Sequence, residues 1–149
     1  MKGAISIKAM VLGFLADVVG SMVFSIAFPL LLAIILAATG YSGDQLEPRL
    51  LEVVQSGPYI MLSLITGLGF TMLGGYVAGR LARSGEYFHS GGVGLLNILF
   101  GLFIIRHFTA WYNILAFALV FPAAVMGGHL AKKKKRALPP ERPSVSDLH

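Results

Sequence analysis

The chain has 149 residues, of which 56% are hydrophobic and 13% are charged. Soluble domains carry about 25% charged residues, so this composition and a mean hydropathy of +0.76 predict an integral membrane protein. The basic run at 132–136 carries five positive charges, which equals the formal net charge of +5, so the rest of the chain is balanced in charge. A broad basic face for nucleic acid is therefore not predicted. Cysteine is absent, which excludes disulfides and thiol chemistry.

The first apolar run extends from about Ala9 to Ala38. It is about twice as long as the apolar core of a signal peptide, which has roughly 7–15 residues. We therefore predict a retained membrane span. The small residues of "LAATG" at 36–40 leave cleavage as the alternative.

Three further apolar runs approach the length of about 20 residues that a membrane helix needs. They predict spans at about 58–79, 88–107 and 108–131, joined by short connections that make antiparallel neighbours. The expected fold class is an all-α integral membrane protein with a four-transmembrane-helix bundle in residues 1–136. The Pro- and Ser-rich tail at 137–149 is predicted to be a disordered cytoplasmic segment.

The long connection after the first span contains "PRLLEVVQ" at 48–55, which predicts a short helix lying on the bilayer. Pro48 suits its first turn.

The distribution of Lys and Arg predicts the orientation of the spans. With a cytoplasmic N-terminus, the inner side carries ten of the 12 basic residues, and the outer side carries Arg49 and Arg106. Both termini are therefore expected in the cytoplasm. The cluster at the end of the fourth span is expected to bind anionic lipid headgroups; it comprises Lys132, Lys133, Lys134, Lys135 and Arg136.

Small residues recur at the inner ends of the spans. "MLGGYVAGR" at 72–80 aligns with "VMGGHLAKK" at 125–133, which indicates two repeated helical hairpins. Small residues four positions apart let helix backbones approach closely. The predicted helix-packing seam contains Gly67, Gly75, Gly79, Gly94, Gly101 and Gly128. Packing within the chain is the favoured interpretation, and a dimer seam or a sliding gate is the alternative.

One acid, Asp17, lies inside the first span, within "FLADVVGSMV" at 14–23. A lone acid in an apolar segment is costly in lipid and is by default a functional hypothesis. Counting along the helices places Asp17, Thr71 and Asn97 in one layer. Arg80 follows nine residues after Thr71, just inside this layer. These four residues form a possible polar or proton site beside a small glycine-lined cavity.

Two interpretations of Asp17 remain open. In the functional one, burial favours its neutral form, so that it exchanges protons or binds a cation. In the structural one, which we favour, it bonds Asn97 or pairs with Arg80 or Lys8.

The sequence contains no nucleophile elbow, phosphate-binding loop or metal-ligand cluster. His89 and His129 lie on different predicted helices and are interpreted as interface residues, not metal ligands. We therefore predict no enzyme activity, no metal and no cofactor.

"LADVVGS" at 15–21 resembles the first-span motif of the small multidrug resistance transporters, which have an acid in a similar setting and four spans. This resemblance covers residues 13–20 and implies that Asp17 is a shared proton and drug site. The acid is Asp where the family has Glu, and the family's later tryptophan and tyrosine positions are not found.

"GGYVAGR" at 74–80 and "HSGGVG" at 89–94 are similar to motifs of small bacterial four-span proteins with no established activity. This resemblance covers roughly residues 67–101 and implies a multi-pass protein of the bacterial inner membrane.

The predicted function is an accessory or assembly subunit that packs against partner membrane helices. The small-residue seams, the small soluble mass and the missing catalytic constellation favour it. The alternative is a small proton-coupled transporter using Asp17. Expected partners are the lipid bilayer and another membrane protein or a second copy of the chain, with no nucleic acid.

Overall fold

A computed structural model describes residues 6–82, 84–104 and 110–137 of the chain. This part of the chain is all-α, with one short 3-10 turn at Gly43–Gln45 and no strand. Its helices are α1 (Ile7–Ala38), α2 (Leu46–Val54), α3 (Gly57–Leu81), α4 (Glu86–Ile104) and α5 (Ala110–Ala137). The predicted all-α class is confirmed.

Three helices, α1, α3 and α5, are long and apolar enough to cross a membrane, which agrees with a multi-pass membrane protein. The fourth predicted span, at 88–107, corresponds to α4, which has 19 residues and is not among these three. The count of four spans is therefore not confirmed. Residues 105–109, which include Arg106, and 138–149, which hold most of the predicted tail, lie outside the described residues.

Local sequence explains where the first helix begins and ends. Ser6 is the N-cap of α1, and its hydroxyl oxygen accepts a hydrogen bond of 3.3 Å from the Ala9 N–H. At the other end Gly40 takes a φ of +103°, which suits glycine. The N–H groups of Gly40 and Tyr41 return to the carbonyls of Ala37 and Leu36, as in a Schellman motif. The chain then turns into α2, whose first turn contains Pro48.

Contacts between helices define the directions in which they run. Asp17 meets Asn97, and Ser6 meets His89, so α1 and α4 are parallel. α3 and α5 run the opposite way and lie parallel to each other, with α3 central between α1 and α5. The described chain therefore begins and finishes at the same end of the bundle. We call it the basic end, because Lys132–Arg136 lie there.

The core is concentrated toward the basic end and is built from small residues. In α1 the buried residues are Ala9, Gly13 and Asp17, all in its first half. The buried residues of α3 and α5 are also mostly glycine, alanine and threonine; they are Leu64, Thr71, Gly74, Gly75, Ala78, Gly79, Ala124, Gly127, Gly128 and Ala131. At the opposite end, which we call the far end, α1 is largely exposed.

Candidate functional site

Asp17 is buried where α1, α3 and α4 meet, with only 4% of its surface exposed. The Ser21 hydroxyl donates to Oδ1 over 3.2 Å, and the Asn97 amide nitrogen donates to Oδ2. The Thr71 side chain is a third hydrogen-bond partner and is equally buried. The structure therefore brings together three of the four predicted polar residues, Asp17, Thr71 and Asn97, and adds Ser21.

Two facing glycines bring Asp17 into this position. A Cβ built on Gly74 would lie 2.6 Å from the Gly13 carbonyl oxygen and 2.9 Å from the Asp17 Cβ. Real Cβ atoms do not come this close, so the backbones of α1 and α3 touch only because both positions are glycine. The close crossing carries the Asp17 carboxylate into the layer of Thr71 on α3.

Asp17 has no cationic partner among the described residues. Their ion pairs join Arg49 to Glu52 and Lys135 to Glu86. Arg80, the fourth predicted site residue, is exposed, and its guanidinium carbon lies 6.0 Å from the centroid of the Tyr76 ring. The structure thus surrounds the Asp17 carboxyl with neutral hydrogen-bonding side chains rather than with a basic one.

A half-open cavity of about 490 Å³ lies beside Asp17 and extends toward the far end between α1, α3, α4 and α5. Its wall is mostly apolar and aromatic, with Phe24, Phe70 and Phe100 among the lining residues. The polar lining residues are Asp17, Ser21, Ser25, Tyr59, Ser63, Thr71, Asn97 and Tyr112. The cavity therefore has room for a small molecule or for a side chain of another helix, and one carboxyl group in its wall.

The predicted seam glycines differ in what they face, although Gly67 and Gly101 both line the cavity. A Cβ on Gly67 would meet nothing within 4 Å, because Gly67 lines the cavity. The other five lie against neighbouring helices. Gly75 and Gly79 of α3 face α5, Gly94 and Gly101 of α4 face α5, and Gly128 faces Ser90 of α4.

His89 is 2% exposed and joins the starts of α1 and α4. Its Nδ1–H donates to the Gly85 carbonyl over 2.8 Å, and its Nε2 accepts the Ser6 N–H over 2.9 Å. This pair of bonds requires the neutral Nδ1–H tautomer. In a capping box, a Glu or Gln three residues into the helix accepts the N–H of the N-cap residue. In α1 the residue three positions after the N-cap is Ala9, which has no side-chain acceptor. His89 accepts the Ser6 N–H instead.

Lys135 of α5 and Glu86 of α4 form an ion pair at the basic end. Lys135 Nζ donates to the Ala82 carbonyl at the end of α3 and to Glu86 Oε1 over 3.3 Å. Partial desolvation raises the pKa of Glu86, but its own backbone N–H, the Lys135 hydrogen bond, and the charges of Lys135 and Lys132 outweigh that effect. The net pKa of Glu86 lies below its ordinary value. Its carboxylate is therefore charged at neutral pH.

Among the described residues, no group of three or more His, Cys, Asp or Glu side chains is placed to hold a metal ion. Sequence reasoning did not find the roles of Ser21 and His89. Ser21 follows Asp17 by one helical turn, and that spacing is readable in the sequence. The His89–Ser6 bond spans 83 positions and has no local pattern.

Comparisons of the chain with protein-family models, with curated proteins and with solved structures found no match.

Proposed function

We propose that the protein is a four-span inner-membrane protein with both termini in the cytoplasm, and that it acts as an accessory or assembly subunit. In this role it packs against helices of a partner membrane protein or of a second copy. α4 is the fourth span, completed by the residues that follow it. The part of the proposal that assigns the protein to the bacterial inner membrane rests on the motif resemblance at 74–94.

The exposed face of the far half of α1 carries this proposal. None of the residues in the most apolar 18-residue stretch of α1 is buried within the chain. Val23, Ile26, Leu30 and Ile34 are each about 60% exposed or more, and their spacing of three and four residues puts them on one helix face. We call this face the α1 stripe. It offers about three turns of helix surface to another apolar helix.

Purification of the full chain in mild detergent tests the proposal. We expect reproducible co-isolation of a larger membrane protein, and we expect Ile26→Trp to abolish it. The added ring fits among lipid chains but not into a packed helix interface. Ile114→Trp is the matched control, because Ile114 is 68% exposed on α5 and Ile26 is 66% exposed on α1. Co-isolation that survives Ile26→Trp, or that both variants abolish, would contradict an interface at the α1 stripe.

A second function, proton-coupled transport through Asp17, is favoured by a different observation. Asp17 combines burial, a position in the wall of the cavity and the lack of a described cationic partner. The same purification distinguishes the two functions. A homodimer without a larger partner, which takes up a substrate coupled to protons in liposomes, would support the transporter and overturn the accessory role.

A further inference from the structure

The last turns of α5 carry a continuous basic face at the basic end. Lys132, Lys133 and Arg136 lie three, four and seven residues after His129, so the four side chains share one side of the helix. Together with Tyr87 of α4 they line a second pocket of about 180 Å³. We call it the basic pocket. It lies outside the Asp17 cavity and shares no lining residue with it.

Tyr87 organises two sides of the basic pocket. Its hydroxyl group makes a 2.9 Å hydrogen bond with His129 Nδ1. Lys132 Nζ lies 4.7 Å from the centroid of the Tyr87 ring, in cation–π contact. The aromatic wall from α4 therefore holds one ammonium group and one imidazole in place, which reduces the entropy that a ligand must overcome to order them.

Among the described residues, no carboxylate forms an ion pair with the positive charges of the basic pocket. The carboxylate of Glu86, the residue before Tyr87, bonds Lys135, whose Nζ also donates to the Ala82 carbonyl at the end of α3 and which does not line the pocket. Glu86 feels the charge of Lys132 without pairing with it. Lys132, Lys133 and Arg136 form no ion pair among the described residues. Three like charges held together repel one another, and an anion between them relieves that repulsion.

From this geometry we infer that the basic pocket is a binding site for the phosphate group of an anionic phospholipid. Lys and Arg are the side chains that bind phosphate oxygens, Arg in a fork and Lys as a point charge. A soluble phosphate ester offers the same chemistry, but the pocket lies at the C-terminal end of α5, a helix long and apolar enough to cross a membrane. The headgroup region of a bilayer, with its phosphates, borders the ends of such helices. This inference is independent of the proposed function.

Native mass spectrometry of the full chain in mild detergent tests the site. The probes are phosphatidylglycerol, phosphatidylcholine and inorganic phosphate. We expect one phosphatidylglycerol bound per chain, in preference to phosphatidylcholine. We expect Arg136→Gln and Lys133→Gln each to weaken the binding of phosphatidylglycerol about fivefold, which is the effect of one basic residue near an anionic surface. Lys134→Gln is the matched control, because Lys134 is exposed and does not line the pocket.

Three results would overturn the inference. Equal losses for Lys134→Gln and Arg136→Gln would show a diffuse charge effect instead of a site. Equal retention of phosphatidylcholine and phosphatidylglycerol would show that the headgroup charge is not recognised. Displacement of the lipid by inorganic phosphate at comparable concentration would assign the pocket to a soluble phosphate. A helical circular dichroism spectrum identical to that of the unchanged chain shows that each variant is folded.

Discussion

Asp17 is surrounded by side chains that can give a hydrogen bond, and this explains how an acid is tolerated in an apolar segment. The hydroxyl of Ser21 and the amide nitrogen of Asn97 each donate to a different carboxyl oxygen. Among the described residues no buried side-chain nitrogen or oxygen lacks a partner. Burial of the polar group is thus compensated by bonds, which is the condition for its being tolerated.

Two substitutions of Asp17 separate its hydrogen bonds from its charge. Asp17→Asn keeps an oxygen for Asn97, and its amide group can donate to the Ser21 hydroxyl. We expect a modest loss of unfolding free energy, on the order of 0.6 kcal/mol, the average for polar contacts between membrane helices. Asp17→Leu leaves the Asn97 amide without a partner and should cost more, about 1–3 kcal/mol. Unfolding in mixed detergent micelles measures both.

Ser25→Ala is the control for these variants. Ser25 lines the same cavity, but its hydroxyl bonds the Met22 carbonyl of its own helix. We expect no measurable effect on unfolding. If Asp17→Asn is as unstable as Asp17→Leu, the negative charge itself holds the three helices together. If Asp17→Asn folds normally but loses a proton-linked phenotype, the structural interpretation of Asp17 is wrong and the transporter is favoured.

Counting residues along helices predicted part of this site. Thr71 and Asn97 share a layer with Asp17 because depth depends only on the number of residues from the membrane boundary. Depth does not specify the side of a helix, and Arg80 is exposed on α3. The three bonds to Asp17 depend on how α1 and α3 are rotated, and that rotation follows from the contact between Gly13 and Gly74.

The helices α3 and α5 pack more closely than ordinary side chains permit. A Cβ on Gly75 would collide with the Ala124 carbonyl, and a Cβ on Gly127 would collide with the Met72 carbonyl. In both cases the obstacle is backbone, which cannot move away as a flexible side chain does. Any side chain at either glycine would therefore have to push the two helices apart.

Three glycine-to-alanine variants test this packing. Gly75→Ala and Gly127→Ala should each destabilise the protein by about 1–3 kcal/mol, the usual cost of overpacking. Gly67→Ala is the matched control on the same helix, since Gly67 faces open space. It should be neutral or slightly stabilising, because alanine favours helix by about 1 kcal/mol over glycine. Unfolding midpoints in detergent measure all three, and similar losses at Gly67 and Gly75 would contradict the structure.

The spacing of small residues could not distinguish these positions. Gly67 and Gly75 belong to the same four-residue series in the sequence, yet one lines the cavity and the other touches α5. The difference arises because the helices diverge toward the far end. A four-residue series of glycines does not encode where along a helix the neighbouring backbone comes close.

At the scale of the whole molecule, hydropathy predicted the all-α fold and the three long apolar helices. Hydropathy could not predict the cavity, because a run of apolar residues contains no information about what covers it. The glycines near Asp17 did predict a small glycine-lined cavity, whereas the wall of the observed one is mostly apolar and aromatic. The helix at the predicted span 88–107, α4, is not among the three long apolar helices, and its first half contains Glu86, His89 and Ser90. These residues serve contacts at the basic end, so their polarity shortens the apolar part of the helix.

The orientation in the membrane is a prediction that reporter fusions check. The described chain begins and finishes at one end of the bundle, and the positive-inside rule assigns that end to the cytoplasm. A periplasm-only reporter should be inactive when fused after His149 and active when inserted within 41–56. Activity after His149 would reverse the assignment. A cytoplasm-only reporter at the same two positions is the control and should give the opposite pattern.

The bond between Ser6 and His89 has a consequence for the order of assembly. His89 follows Ser6 by 83 residues, so the first turn of α1 receives its acceptor only after α2, α3 and the start of α4 have been synthesised. Contacts so distant along the chain form late, because the intervening segment must first be ordered. The N-terminal turn of α1, which is synthesised before the other described helices, is thus completed only after most of them.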